Sequence, residues 1–123
     1  MFRNDEEIRV LLLEDSISSA KLITKVLEKN FEDISVLHDN RAELAFTSIP
    51  IFRPDIIISD YTFPTSTCGI IMGQLKKFKG LVIIYSSYSA KEIKAKLDVP
   101  KNILVITKPN TQDIISSIKE HIN

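Results

Sequence analysis

The sequence predicts an α/β fold on a parallel sheet, with strand and helix alternating five times. Two observations predict it. Short, mostly β-branched apolar runs recur along the 123 residues, and stretches with helical spacing of apolar residues separate them. Most of the runs lack polar alternation, as strands covered on both faces do. Strands that alternate with helices pair in parallel, because each helix carries the chain back across the sheet.

The first run is Ile8 to Leu13 (IRVLLL). Ser18 to Asn30 follows as a helix with Ala20, Ile23, Val26 and Leu27 on one face and Ser16 or Ser18 to cap it. Ile34 to Leu37 (ISVL) is the second run. A helix over Arg41 to Ile49 groups Leu44, Ala45 and Ser48, and Pro50 is expected to end it. The third run, Ile56 to Ile58, comes directly after Pro54 and Asp55. A short helix from Ile70 to Phe78 is expected next, closed by Gly80 as a C-cap. Leu81 to Tyr85 (LVIIY) is the fourth run, and Lys91 to Leu97 the helix after it, with Ile93 and Leu97 at helical spacing. Ile103 to Ile106 (ILVI) is the fifth run. The last helix, Thr111 to Ile122, carries a stripe of Ile114, Ile115, Ile118 and Ile122. Thr111 is its expected N-cap, and Asp113 suits the positive end of the helix dipole.

Composition narrows the function. The length suits one domain, residues 1–123, with 1–7 as a polar N-terminal extension. Hydrophobic residues make up 44% and charged residues 26%, with a formal net charge of zero. Phosphate neutralisation calls for a basic excess, so a nucleic-acid surface is not expected. The lysines between Lys76 and Lys101 read as a solvated face. Cys68 is the only cysteine, which excludes an intramolecular disulfide and a cysteine-rich metal site. His38 and His121 have no partner at ligand spacing and are expected to be exposed. No apolar run approaches the roughly 20 residues of a membrane span, and Met1 to Glu7 is polar and acidic. A cytoplasmic protein is the expectation.

Chemistry is sought where an open α/β sheet binds ligands, beyond the carboxyl ends of its strands. Glu14 and Asp15 follow the first strand, and Asp60 follows the third. Ser86 and Ser87 end the fourth, while Thr107, Lys108 and Pro109 end the fifth. Three carboxylates in one place repel, so raised pKa values or a cation must offset them. Oxygen donors with room for water and phosphate oxygens suit Mg²⁺. A carboxylate can also attack a phosphoryl group, with a lysine and a hydroxyl stabilising the transferring oxygens.

These residues match a known pattern. LLLEDS (Leu11 to Ser16), IIISDYTFP (Ile56 to Pro64), LVIIYSS (Leu81 to Ser87) and ITKP (Ile106 to Pro109), in order and each at a strand end, resemble the receiver domain of response regulators. The resemblance covers essentially the whole chain and is closest in kind to chemotaxis regulators. It implies a doubly wound (βα)5 fold with the flavodoxin-like strand order 2-1-3-4-5. It implies that Asp60 accepts a phosphoryl group from a histidine kinase or phosphotransfer protein. Glu14, Asp15, Asp60 and the backbone carbonyl of Thr62 would hold Mg²⁺. Ser86 and Lys108 would bind the phosphoryl group, Thr62, Ser87 and Tyr88 would flank the site and tune it, and the bond to Pro109 would be cis. Implied partners are the phosphodonor and a downstream protein, with neither membrane nor nucleic acid. Family members also pair through the face of strands four and five and their helices.

The chain departs from the pattern in places. Its acidic pair is Glu-Asp rather than Asp-Asp, and Ser66, Thr67 and Cys68 precede a Gly69 displaced by one residue. The third helix is about a turn short. Ser87 replaces a usual alanine, and Val105 stands where the family carries a switching aromatic that Tyr85 or Tyr88 would have to replace. Blander roles exist for each residue: Asp60 as a turn cap, Glu14 and Asp15 as helix caps, Lys108 as a surface lysine. Other functions are a degenerate receiver acting by contact alone, an aspartyl-phosphate phosphatase and a flavodoxin-like cofactor binder. The phosphatase needs a second Asp where Thr62 stands, and the cofactor binder needs a phosphate cradle after strand one. The expectation is a switch and not a turnover enzyme.

Overall fold

A computed structural model of the chain describes residues 7–60, 72–96 and 98–122. Its five strands are β1 (Ile8–Leu13), β2 (Ile34–Asp39), β3 (Ile56–Ser59), β4 (Leu81–Ser86) and β5 (Ile103–Thr107). They form one parallel sheet in the order β2-β1-β3-β4-β5. Five helices are described: α1 (Ile17–Asn30), α2 (Ala45–Phe52), α3 (Met72–Lys77), α4 (Ala90–Lys96) and α5 (Thr111–Ile122). This is the parallel α/β sheet expected from the alternation of runs, in the doubly wound order that the resemblance implies. None of the described helices is long and apolar enough to cross a membrane.

Alternation along each strand builds two cores. Val10, Leu12, Ile56, Ile58, Ile83, Tyr85 and Ile106 point to the face covered by α1 and α5. Leu11, Leu13, Ile57, Val82, Ile84 and Ile103 point to the face covered by α2, α3 and α4. Burying each such aliphatic side chain contributes about 1.5–3 kcal/mol. This far exceeds any single cap, so the pattern of apolar runs dictates the fold. The helix stripes fall as the spacing requires: Ala20, Ile23 and Leu27 of α1, and Ile114, Ile115 and Ile118 of α5, are buried.

The helix ends depart from expectation at α2 and α5. α2 does not stop at Ile49 but runs through Pro50 to Phe52, after a 3-10 turn over Ala42–Leu44. Proline's fixed φ is helical, and its missing donor costs one bond at a residue where Phe46 and Ile51 face solvent. The helix closes instead at Arg53, whose N–H still donates to the Ile49 carbonyl and whose left-handed backbone, at a φ of 56°, then turns the chain out of the helix. α5 is capped by Asn110 and not Thr111. The Asn110 Oδ1 accepts from the Asp113 N–H at 3.2 Å, and its Nδ2 donates to Asp113 at 2.8 Å. Ser89 and Glu92 make a reciprocal capping box on α4. Ser16, of the two candidates, caps α1 by accepting from the Ser19 N–H. Ile70, Ile71 and Leu97 lie outside the described residues.

The amino-terminal edge of the sheet is tied by Asp55. Its Oδ2 accepts from the Arg9 N–H at 2.9 Å, its N–H donates to the Arg9 carbonyl at 2.8 Å, and its carbonyl accepts from Leu81 at 3.3 Å. Gly80 is needed here for space and not as a left-handed cap, since no described glycine has positive φ. A Cβ on Gly80 would meet the Asp55 carbonyl oxygen at 2.3 Å. That oxygen is backbone and already bonded, so it has little room to yield. Gly80→Ala is expected to lower the unfolding free energy by about 1–3 kcal/mol, read as a lower urea midpoint. An unchanged midpoint would contradict the close approach.

Candidate functional site

Carboxyl ends of parallel strands place several loops on one edge of the sheet. β1, β3 and β5 deliver Glu14, Asp60 and Lys108 there. The Asp60 N–H donates to the Leu13 carbonyl at 2.9 Å, which ties the end of β3 to that of β1. The Lys108 N–H donates to the Ser86 carbonyl at 2.7 Å, which ties β5 to β4. The Lys108–Pro109 peptide bond is cis.

The side chains converge. Lys108 Nζ donates to Glu14 Oε1 at 2.9 Å and lies 3.3 Å from Asp60 Oδ1. Carboxylate oxygens of Glu14, Asp15 and Asp60 all lie within 4.8 Å of one another. Glu14 is 3% exposed, Asp15 is exposed, and Asp60 sits between them. Glu14 Oε2 also accepts from the Ser16 N–H at 3.2 Å, so the helix cap and the site share one loop.

Burial pushes the Glu14 carboxyl up; the Lys108 hydrogen bond pulls it back, and the Asp60 charge pushes it up again, leaving it above its ordinary value. Burial alone would lower the Lys108 ammonium, but its contacts with Glu14 and Asp60 outweigh burial and raise it. The Asp60 charge is the contribution common to both, since a negative neighbour makes each group hold its proton more tightly. The donor set is all hard oxygen, which fits a divalent cation of the Mg²⁺ or Ca²⁺ kind. Both Glu14 oxygens already accept hydrogen bonds, yet each keeps a second lone pair for a metal or its water.

Other residues singled out in the sequence take different places. Ser86 ends β4, is 1% exposed, and its Oγ accepts from the Tyr88 N–H at 3.3 Å. Ser87 is exposed. Tyr88 is half-buried and packs on the α2–α4 face, as Val105 does. Thr62, and the Ser66 to Gly69 stretch, lie outside the described residues.

Three site neighbours make contacts that the sequence does not predict. His38 is half-buried rather than exposed, because its Nε2 lies 2.6 Å from the Glu14 carbonyl. A carbonyl only accepts, so that nitrogen carries a proton. Its one sequence signal is its place near the end of β2. Tyr85 carries Lys108 Nζ at 5.6 Å from its ring centroid, and its hydroxyl accepts from the Asn110 N–H at 2.8 Å. The signal for Tyr85 was a hydroxyl among Val82, Ile83 and Ile84. Asn110 was passed over for Thr111.

No family model matches the sequence, and no curated protein matches it. Solved structures do. The chain is similar to the signal receiver domain of a Vibrio parahaemolyticus protein described as a Luxo repressor, at 24% identity and TM-score 0.75, over 94% of this chain and 90% of that one. A response regulator receiver domain protein from Clostridium thermocellum is 21% identical, with TM-score 0.76 and 94% of each chain covered. The chemotaxis protein CheY4 of Vibrio cholerae is 18% identical, with TM-score 0.73, over 94% of this chain and 98% of that one. The chain has the fold of these receiver domains.

The charge excess has a measurable consequence. Among the described residues, Asp60 has two carboxylate neighbours and one ammonium neighbour, so one net repulsion remains between them. Asp60→Asn is expected to raise the unfolding free energy of the metal-free protein by about 1 kcal/mol at neutral pH and low ionic strength. Sodium chloride should narrow the gap. Urea unfolding of both proteins checks this, and a less stable variant would contradict it.

Proposed function

We propose that the chain is a phospho-accepting receiver of a two-component or phosphorelay system, with Asp60 as the acceptor. One observation carries the reading: among the described residues a single ammonium, on Lys108, lies within reach of two carboxylates delivered by different strands, with a third carboxylate beside them. A structural ion pair needs one acid. Three acids with one base form an arrangement that is costly until cationic charge is added. The fold shared with receiver domains agrees with it.

The donor would be the phosphohistidine of a histidine kinase or phosphotransfer protein. An Asp60 carboxylate oxygen forms a P–O bond as the donor's N–P bond breaks. The electron pair of that bond goes to the leaving imidazole nitrogen, which takes up a proton. Glu14, Asp15, Asp60 and the Thr62 carbonyl would hold Mg²⁺, which when bound supplies positive charge opposite the phosphoryl oxygens. Lys108 donates to one phosphoryl oxygen and Ser86 to another. Thr62, Ser87 and Tyr88 flank the acceptor and set how fast water removes the group. Such a protein is a switch: the added charge favours one of two arrangements of the surrounding loops, and a downstream protein reads the result.

The test is chemical. Incubation with acetyl phosphate and a magnesium salt should add the mass of one phosphoryl group. The gain should vanish in Asp60→Asn and on chelation. Lys108→Met should slow it by roughly a hundredfold, the usual cost of losing a charge-stabilising donor. A folded protein that gains no mass at any donor concentration would contradict the reading and leave contact-only signalling in its place.

A further inference from the structure

We infer that Tyr85 is the positioning residue for Lys108. The proposal rests on the phospho-acceptor reading above and names the group that aims its lysine.

Strand order sets the problem. β4 lies between β5 and β3, and β1 lies beyond β3. Neighbouring strands are about 4.8 Å apart, so a lysine leaving β5 must cross β4 to reach Asp60 and Glu14. The residue of β4 found beneath it is Tyr85, with Nζ 5.6 Å from the ring centroid. An aromatic face attracts a cation in that range, more so where water is partly excluded. Lys108 is 21% exposed. The ring therefore offers the ammonium a second attraction along its path.

The hydroxyl does a separate job. Tyr85 is 4% exposed and lies among Ile83, Ile106 and Ile114. A leucine would fill such a position without burying an oxygen. The oxygen accepts from the Asn110 N–H at 2.8 Å. Asn110 in turn caps α5 through Asp113. One residue along β4, the Ser86 carbonyl accepts from the Lys108 N–H at 2.7 Å. Tyr85 and Ser86 thus clamp Lys108, Pro109 and Asn110 by both outer amides, and the Tyr85 ring holds the side chain that the clamp presents. A flexible lysine stem is fixed at its root and near its tip.

Three measurements test this. The ε-methylene protons of Lys108, observed with carbon-13-labelled lysine, should be displaced upfield by the ring. The displacement should persist in Tyr85→Phe and vanish in Tyr85→Leu. Acetyl phosphate should label Asp60 about fivefold more slowly in Tyr85→Leu, the loss expected for one cation–π contact, and within about twofold of the parent in Tyr85→Phe. Exchange of the Asn110 amide proton should quicken in both variants, since both lose the hydroxyl. If Tyr85→Leu does not fold, Tyr85→Met, which fills the space without a ring, replaces it. Lys108 protons at their random-coil position in the parent protein would overturn the inference, as would a ring-less variant that labels at the parental rate. A parent protein that accepts no phosphoryl group would overturn the acceptor reading instead, while the resonance and exchange measurements would still decide whether Tyr85 holds Lys108.

Discussion

One ammonium held against two carboxylates is the constraint on which the site depends. Lys108 is the single cation among the described groups that joins the ends of β5, β3 and β1. Its contact with Glu14 is made by a carboxylate that is almost wholly buried. A buried carboxylate without a partner would carry a heavy desolvation cost. The lysine offsets that cost, but Asp60 and Asp15 restore the imbalance. The edge of the sheet is thus left with negative charge that a divalent cation would satisfy.

The rest of the fold serves to keep those groups in place. Parallel strands buried on both faces put their carboxyl ends on one edge. Backbone hydrogen bonds then set the spacing: Asp60 to Leu13, and Lys108 to Ser86. Asp55 and Gly80 do comparable work at the opposite edge, where the sheet only needs to be closed. The Glu-Asp pair also takes on physical sense here. The longer glutamate reaches Lys108 with one oxygen while the other accepts from the amide that opens α1.

Legibility in the sequence followed the range of the interaction. Strands and helix stripes were readable because apolar periodicity is local and its energy is large. Glu14, Asp15, Asp60 and Lys108 were readable because each stands at a strand end, and the fold class says where strand ends meet. Asn110 was missed because two adjacent residues both suit an N-cap, and a contact from Asp113 decided between them. Pro50 misled because it sits on the solvent side of α2, whose other side is held to the core by Ala45, Ile49 and Phe52. Gly80 read as a cap, while its cause is a carbonyl of a residue 25 positions earlier in the chain, Asp55. His38 and Tyr85 depend on neighbours that only the sheet order brings together. Their roles follow from strand order, which spacing alone does not specify.

The central claim is that this edge of the sheet accommodates a phosphoryl group on Asp60, beside Lys108 and a divalent cation. Fluorine NMR of the protein with beryllofluoride and Mg²⁺, a mimic of the acyl phosphate, addresses it most directly. The account predicts a distinct bound fluoride signal that requires Mg²⁺ and is absent from Asp60→Asn. Free beryllofluoride as the only signal from the folded, magnesium-saturated protein would contradict it.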